Sequence, residues 1–331
     1  MTDASLLPLA LTMGDPAGCG PAITVAAWKT LSGDFPRPLY VIGAPELYSD
    51  NVDIFEIASP DEAVRSPAGA LPVMPLKDVP EITVGQPDSA AAPAIIASIE
   101  RAVSQARTGQ AAGLVTNPIN KALLYGAGFR HPGHTEFIAH LCGGTDQPVM
   151  MLVGGGLRVA LATIHQSLRS VPDALTQQGL IDIGTIVDSA LKRDLGMSVP
   201  KLAFTGLNPH AGEDGALGRE EIEIINPAAD TLRGAEVSIS DARPADTVFA
   251  EALNGQFDAV IAMTHDQGLI PVKTLDFWGG VNVTLGLPIV RTSPDHGTAY
   301  DAAAAGTARA DSLIAAIRLA DEIARHRAAY V

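Results

Sequence analysis

Three histidines in this sequence each follow a short apolar run: His165 after LATI, His210 after AFTGLNP and His265 after AVIAMT. Side chains at the carboxyl ends of neighbouring strands converge on one cleft in layered α/β proteins. Three imidazoles with coordination positions left over suit a divalent metal such as zinc or cobalt. The alternative is three unrelated polar turn residues, because separations of 45 and 55 residues match no compact metal motif. What groups them is their shared place after a strand. Asp246 and Asp266 are candidates to orient the imidazoles from behind. Asp246, in PADT, equally suits the N-terminal cap of a helix.

The stretch from Met263 to Asp301 carries the most groups of this kind, with His265, Asp266, Lys273, Asn282, Arg291, Asp295 and His296 between short apolar runs. Such groups at strand ends hold a phosphate, a carboxylate or a metal. Lys273 and Arg291 are read as lying beside strands, in a chain with only 22 basic residues. Asn282, inside VNVTLGL, requires internal hydrogen-bond partners unless it serves a ligand. GHTEF (Gly133 to Phe137) opens a helix with His134 and Thr135, a ready anion site or an ordinary cap. Runs around Gly14, from Asn117 to His134 and from His165 to His210 carry the same mix, so all four are read as one site.

Glycine-rich segments raise the question of a nucleotide. GDPAGCGP lacks the Lys-Ser/Thr of a P-loop, and neither it nor VGGG supplies the GxGxxG of a Rossmann fingerprint. In DHGTAYDAAAAG, Gly297 and Thr298 can offer backbone and hydroxyl groups to a dinucleotide, or simply form a tight turn.

The elements that must position these residues alternate. Leu6 to Met13 reads as a buried strand, followed by a glycine-rich turn and helical character from Ala22 to Leu31. Pro38 to Gly43 and Gly113 to Thr116 are further strands; Ser59 to Pro93 is mostly loop with short strands. Ile95, Ile99 and Val103 mark a helix over 90–107. VGGG joins strands at Val149 to Val153 and Arg158 to Thr163 in a hairpin. Helices are expected at 137–141, 176–195 and 220–233, and strands at 201–206, 257–263, 280–285 and 288–292. One or two alanine-rich helices cover 301–329. The pattern implies an α/β/α layered protein with a second subdomain around the hairpin.

The 331 residues allow two domains, and 47% hydrophobic with 18% charged residues is a globular balance. A net charge of −15 argues against nucleic acid or an anionic membrane as partner. Cys19 and Cys142 are read as two thiols rather than a disulfide. With no basic residue before Lys29 and no apolar run of spanning length, a soluble cytoplasmic protein is expected.

TMGDPAGCGP, TNPINK, GHTEF, GLNPHAGE, RPADTVF and MTHDQGLIPVKTLDFWGGVNVTLGLPIVRTSPDHGTA, in this order over nearly the whole chain, resemble signatures of the 4-hydroxythreonine-4-phosphate dehydrogenase family of vitamin B6 synthesis. The resemblance implies the fold of isocitrate and isopropylmalate dehydrogenases, with two α/β/α subdomains flanking a cleft. The expected split is 1–125 with 280–331 on the cofactor side, and 126–279 for metal, substrate and the dimer interface. It implies a homodimer with a shared active site, NAD or NADP, and one divalent metal, zinc foremost with magnesium or cobalt as alternatives. His165, His210 and His265 resemble the metal ligands, His265 coming from the partner subunit. His134, Thr135, Lys273, Asn282 and Arg291 resemble substrate contacts. Asn117, His296, Gly297 and Thr298 resemble the cofactor surface, and Asp246, Asp266 and Lys273 the catalytic set. The implied reaction oxidises the secondary hydroxyl of 4-phosphohydroxy-L-threonine to a β-keto acid that decarboxylates. Relatives acting on four-carbon phosphosugar acids or an aromatic cis-dihydrodiol dicarboxylate are the alternative, and a non-catalytic metabolite-binding protein a remote one. Thr264, Ala22 and Cys19 depart from the family's usual residues.

Overall fold

The structure, a computed structural model, describes residues 7–131, 133–144 and 148–330. Leu6, where the sequence reading begins the first strand, lies outside them. Contacts divide the chain into two units, Met1–Pro148 with Leu287–Ala329, and Val149–Gly286.

The first unit begins with β1 (Leu9–Thr12), α1 (Gly20–Leu31), β2 (Leu39–Gly43), β3 (Ile54–Glu56) and β4 (Leu71–Pro75). It continues with α2 (Ala92–Arg107), β5 (Gly113–Val115), α3 (Lys121–Gly126) and α4 (His134–Leu141). The second unit holds β6 (Val149–Gly154), β7 (Leu157–Leu161), α5 (Val171–Ala174), α6 (Gln177–Leu195) and β8 (Lys201–Phe204). Next come α7 (Asn226–Gly234), β9 (Ser238–Ile239), α8 (Val248–Leu253), β10 (Ala259–Ala262), α9 (His265–Leu275) and β11 (Val281–Leu285). The chain then returns to the first unit as β12 (Arg291–Pro294), α10 (Tyr300–Ala304) and α11 (Asp311–Ala329).

In the first unit the strands run β3-β4-β2-β1-β5-β12, all parallel. Parallel strands covered by helices read as continuous apolar runs, and β1, β2 and β5 are buried at every position. Ile95, Ile99 and Val103 of α2 pack on Ala10, Tyr40, Ile42 and Leu114, as their four-residue spacing requires. The second unit orders its strands β11-β6-β7-β10-β8-β9, with β6 antiparallel to both neighbours and the rest parallel. The hairpin turns at Gly155 and Gly156, whose φ values of 59 and 86° are those a tight two-residue turn demands. Its core gathers Val159, Leu161, Val260 and Ala262 from the sheet with Val248, Phe249 and Val272 from α8 and α9.

Both units are α/β. Their boundaries differ from the expected 125/126 and 279/280. Phe137, Ile138 and Ala139 of α4 pack into the α2 core, which places α4 in the first unit. β11 pairs with β6 from Val281 to Leu285, which keeps that strand in the second. The run expected as a strand from Pro288 forms one only from Arg291, since proline cannot donate to a ladder. Cys19 and Cys142 do not form a disulfide. Among the described residues no helix is long and apolar enough to cross a membrane.

Candidate active site

In the second unit the three histidines stand where three adjacent parallel strands end. Ala262 lies opposite Leu161, and Ile261 opposite Phe204, so β7, β10 and β8 finish on one rim. Buried hydroxyls and one amide tie the turns beyond them together. Thr163 Oγ1 donates to Met263 O at 2.7 Å, and Met263 N donates to Thr205 Oγ1 at 3.0 Å. Gln267 Nε2 donates to Gly206 O at 2.9 Å, while its Oε1 accepts from Thr264 N at 3.1 Å and Thr205 Oγ1 at 3.2 Å. Gln267 thus closes the capping box of α9 with Thr264 and also braces the strand end that leads to His210.

His265 is the first residue of α9, and its ring centroid lies 5.5 Å from that of His165. It lies beside His165 of its own chain. A cleft of about 360 Å³ is lined by Thr163, His165, Gln166, Thr264, His265 and Asp266, among others. Asp266 Oδ1 lies 2.9 Å from His265 Nδ1, the backing carboxylate expected there. His210 has one as well, but not the expected one: Glu213 Oε1 is 2.6 Å from its Nδ1. Glu213 first, and Asp246 more weakly, raise the pKa of His210. A carboxylate on Nδ1 fixes the ring and leaves Nε2 as the coordinating nitrogen, the arrangement typical of metal-bound histidines. This donor set fits a divalent ion. Among the described residues, however, no three His, Cys, Asp or Glu side chains lie close enough together to hold one. The histidine pair is formed and His210 is not within that group.

Lys273 does not lie beside a strand. It sits in the last turn of α9, eight residues and roughly 12 Å along the axis from His265. Its Nζ is 5.6 Å from the centroid of the Phe277 ring. Asn282 faces Leu152 across the β11–β6 ladder, and its Oδ1 is buried without a hydrogen-bond partner among the described residues. A buried amide oxygen left in that state is costly unless a ligand meets it.

The first unit holds a separate cationic cluster. Arg291 opens β12, is 3% exposed, and donates from Nη2 to Thr116 Oγ1 at 2.9 Å. Burial pulls its pKa down to about 10 against the opposing pull of Glu136, so the guanidinium keeps its charge at neutral pH. His134 begins α4 and Thr135 follows it. Among the described residues, His134 Nε2 is enclosed with no partner. Burial first, then Arg291 and Lys121, hold its pKa well below the usual 6.5, so the ring is neutral. A helix start, a buried guanidinium and a nearby ammonium together favour an anion.

His134 makes a testable contribution to acid sensitivity. Its folded pKa is depressed, so below pH 6.5 the unfolded chain binds a proton that the folded chain refuses. Stability from this group is complete above 6.5 and falls with pH beneath it, by at most ~1.4 kcal/mol per pH unit. Urea unfolding at pH 6.5 and 5.5 is expected to show His134→Asn losing about 1 kcal/mol less than the parent over that interval. Equal losses would remove the buried neutral imidazole from the account.

The loop His296–Ala299 is anchored on one side and open on the other. Thr298 O accepts from Cys19 N at 2.8 Å, and a Cβ on Gly18 would lie 2.7 Å from that same oxygen. The departure at Cys19 is explained here: its thiol packs 3.7 Å from Gly297 O, and burial pushes its pKa up to about 11. Tyr300 hydrogen-bonds Asp15, and burial with that bond raises its hydroxyl to about 12. Gly297 has open space on its Cβ side. His296 is exposed, with Nδ1 2.9 Å from Gly297 O. Asn117 is fully buried; its amide nitrogen donates to Thr12 O at 2.9 Å and Thr24 Oγ1 at 2.8 Å, bracing β1 and α1, and its Oδ1 is buried with no partner among the described residues.

The sequence reading missed Glu213, Gln267, Thr116 and Lys121. The first two stand in the motifs GLNPHAGE and THDQ, at helical spacing from His210 and from the Thr264 cap.

Residues 34–320 match the family described as "Pyridoxal phosphate biosynthetic protein PdxA". The 4-hydroxythreonine-4-phosphate dehydrogenase of Caulobacter vibrioides is 50% identical over 97% of this chain and 98% of its own. That of Maricaulis maris is 48% identical over 98% and 99%. The solved 4-hydroxythreonine-4-phosphate dehydrogenase of Klebsiella pneumoniae superposes with a TM-score of 0.86 at 39% identity, covering 96% of this chain and 99% of that one. A terephthalate 1,2-cis-dihydrodiol dehydrogenase of Burkholderia xenovorans gives 0.67 at 28% identity, over 96% and 98%. Family match, full-length relatives and shared architecture agree: this chain belongs to the PdxA family of pyridoxal phosphate biosynthetic proteins and is an oxidoreductase.

Proposed function

We propose that this enzyme oxidises the secondary hydroxyl of 4-phosphohydroxy-L-threonine with NAD or NADP. The β-keto acid formed loses CO₂ to give 3-amino-2-oxopropyl phosphate, on the route to pyridoxal 5'-phosphate. The observation that carries this reading is the pair His165 and His265, side by side at a shared strand rim, with a carboxylate behind His265. His165, His265 and His210 would hold a divalent ion, zinc foremost, which when bound supplies the Lewis acidity that eases loss of the hydroxyl proton. NAD or NADP, when bound, would supply the hydride acceptor.

The chain's own residues bind and orient. Arg291, His134 and Thr135 take the anionic groups of the substrate; neutral His134 offers a hydrogen bond without titrating near pH 7. Asn282 Oδ1, buried and unmet among the described residues, suits the substrate amine as an acceptor of its N–H. Lys273 completes the set as an ammonium in the last turn of α9. Asp266 and Glu213 keep His265 and His210 in the tautomer that leaves Nε2 open. Gly297 and Thr298, on the open side of the anchored loop, receive the cofactor with His296 beside them.

The test is NAD⁺ reduction by zinc-loaded protein with 4-phosphohydroxythreonine, 4-phosphothreonate and the terephthalate dihydrodiol in parallel. Preference for the amino acid phosphate upholds the reading. Preference for another substrate moves the enzyme to a catabolic relative, and no turnover with any of them overturns it.

A homodimer is part of the same proposal. Ile270 in the middle of α9, and Phe277 and Trp278 just beyond its end, are each half or more exposed, and the last two rings pack edge to face at 5.0 Å. Contiguous apolar side chains of this size on a surface mark an interface. Trp278→Glu is expected to shift sedimentation from dimer to monomer; a species of unchanged mass would place the interface elsewhere.

A further inference from the structure

The chain from His210 to Gly215 runs left-handed, with φ of 52, 53, 82, 43, 53 and 92°. Four of these six residues are not glycine, and L residues visit that region singly rather than in runs. Such a segment persists only where its surroundings over-determine it, and strain of this kind gathers at functional sites.

The surroundings here centre on one carboxylate. Glu221 is 2% exposed; its Oε1 accepts from Asn208 N at 2.8 Å and its Oε2 from Asn208 Nδ2 at 3.0 Å. Glu220 takes the same amide at 2.7 Å, so Asn208, two residues before His210, is held on three bonds. The carboxylate also fills the inside of the turn. A Cβ on Gly212 would lie 2.6 Å from Glu221 Oε2, and one on Gly206 3.2 Å from Oε1. A Cβ on Gly218 would meet Asn208 Nδ2 at 2.3 Å. Three glycines therefore leave room for one acid and its partner amide. Glu221 itself opens a π-helical turn, Glu221–Ile225, a rare geometry that recurs at functional sites.

We propose that Glu221 is the positioning residue for His210. By gripping Asn208 and occupying the space beside Gly212, it keeps the turn left-handed and so sets the direction of the imidazole. The zinc readout below rests on the reading of His210 as a metal ligand; the exchange readout does not.

Glu221→Gln keeps the shape but turns an N–H₂ group toward an amide donor of Asn208. Gly212→Ala places a methyl against the carboxylate at a left-handed φ. Glu223→Gln is the control, since Glu223 is exposed and pairs only with Arg219 at 2.5 Å. Two quantities are measured on the full chain: zinc affinity by calorimetry, and amide hydrogen exchange of residues 210–216 without metal. Glu221→Gln and Gly212→Ala are expected to weaken zinc binding about 10- to 100-fold and to speed exchange in the turn, with Glu223→Gln unchanged in both. A role in stability alone would lower the unfolding midpoint without altering zinc affinity. Zinc affinity of Glu221→Gln within twofold of the parent, where the parent binds zinc, overturns the proposal. Where the parent binds no zinc, the metal reading falls, and exchange decides: unchanged exchange in Glu221→Gln overturns the proposal, faster exchange upholds it.

Discussion

Replacing His165 by alanine is expected to lower kcat/KM at least about a thousand-fold, or ~4 kcal/mol of transition-state stabilisation, while leaving the unfolding transition nearly unmoved. The side chain stands on an exposed turn beyond β7, outside the core of the second unit, so its removal opens no cavity. Its ring lies 5.5 Å from that of His265, and both belong to turns stitched through Thr163, Met263 and Thr205. Two imidazoles serving one ion act as a unit. His265→Ala should therefore cost about as much as His165→Ala, and the double variant little more than either. Steady-state rates with and without added zinc read this directly. Multiplicative losses would mean two independent roles, and a near-parental rate for His165→Ala without metal would end the metal reading.

The nearness of His165 and His265 was legible in the sequence because it depended on a simple feature, an apolar run ending in a polar turn. The register of β7 and β10 turns that feature into proximity for these two, while His210, beyond β8, stays outside the pair. The hairpin at Gly155 and Gly156 was legible for a similar reason, since a two-residue turn needs positive φ and the sequence offers glycine at both places. Helix α9 was not. Gly268 and Pro271 are poor helix formers, and the segment lies within a stretch dominated by strand-like runs. Its one local signal was the capping box of Thr264 and Gln267, at a position where the family usually carries a different residue. Missing it placed Lys273 beside a strand instead of two turns along a helix.

Other features are long-range. Nothing near Asn117 in sequence tells that its amide nitrogen is held by Thr12 and Thr24, about a hundred residues earlier. The left-handed run from His210 is stabilised by Glu221 from eleven residues downstream, and four of its residues carry side chains that favour right-handed geometry. The boundary between the units was misplaced because α4 follows polar, proline-bearing sequence, while its apolar face completes a core begun by α2. Local pattern identifies an element; which core it joins is decided by contacts the pattern does not contain.

Arg291→Lys is expected to reduce kcat/KM about 100- to 1,000-fold at pH 8, chiefly through KM, with a loss that deepens as pH rises. A buried guanidinium that pairs with an anion contributes through two parallel N–H groups, and removing one partner of such a pair costs ~2–5 kcal/mol. Lysine keeps a charge only while protonated. Burial draws Arg291 from 12.5 down to about 10, which still leaves it cationic through the neutral range. The same desolvation acting on lysine, whose ordinary value is about 10.4, would bring its titration to roughly pH 8. His134, held neutral beside it, supplies no compensating charge. Substrate affinity of the parent should thus be nearly flat between pH 7 and 9 as far as this residue is concerned, whereas that of Arg291→Lys falls across the same range as the ammonium loses its proton. Parallel pH profiles of KM separate the two. A variant with parental KM at pH 9 would show that the anion is held elsewhere, and that the guanidinium serves only to bridge β12 to Thr116 on the neighbouring strand end.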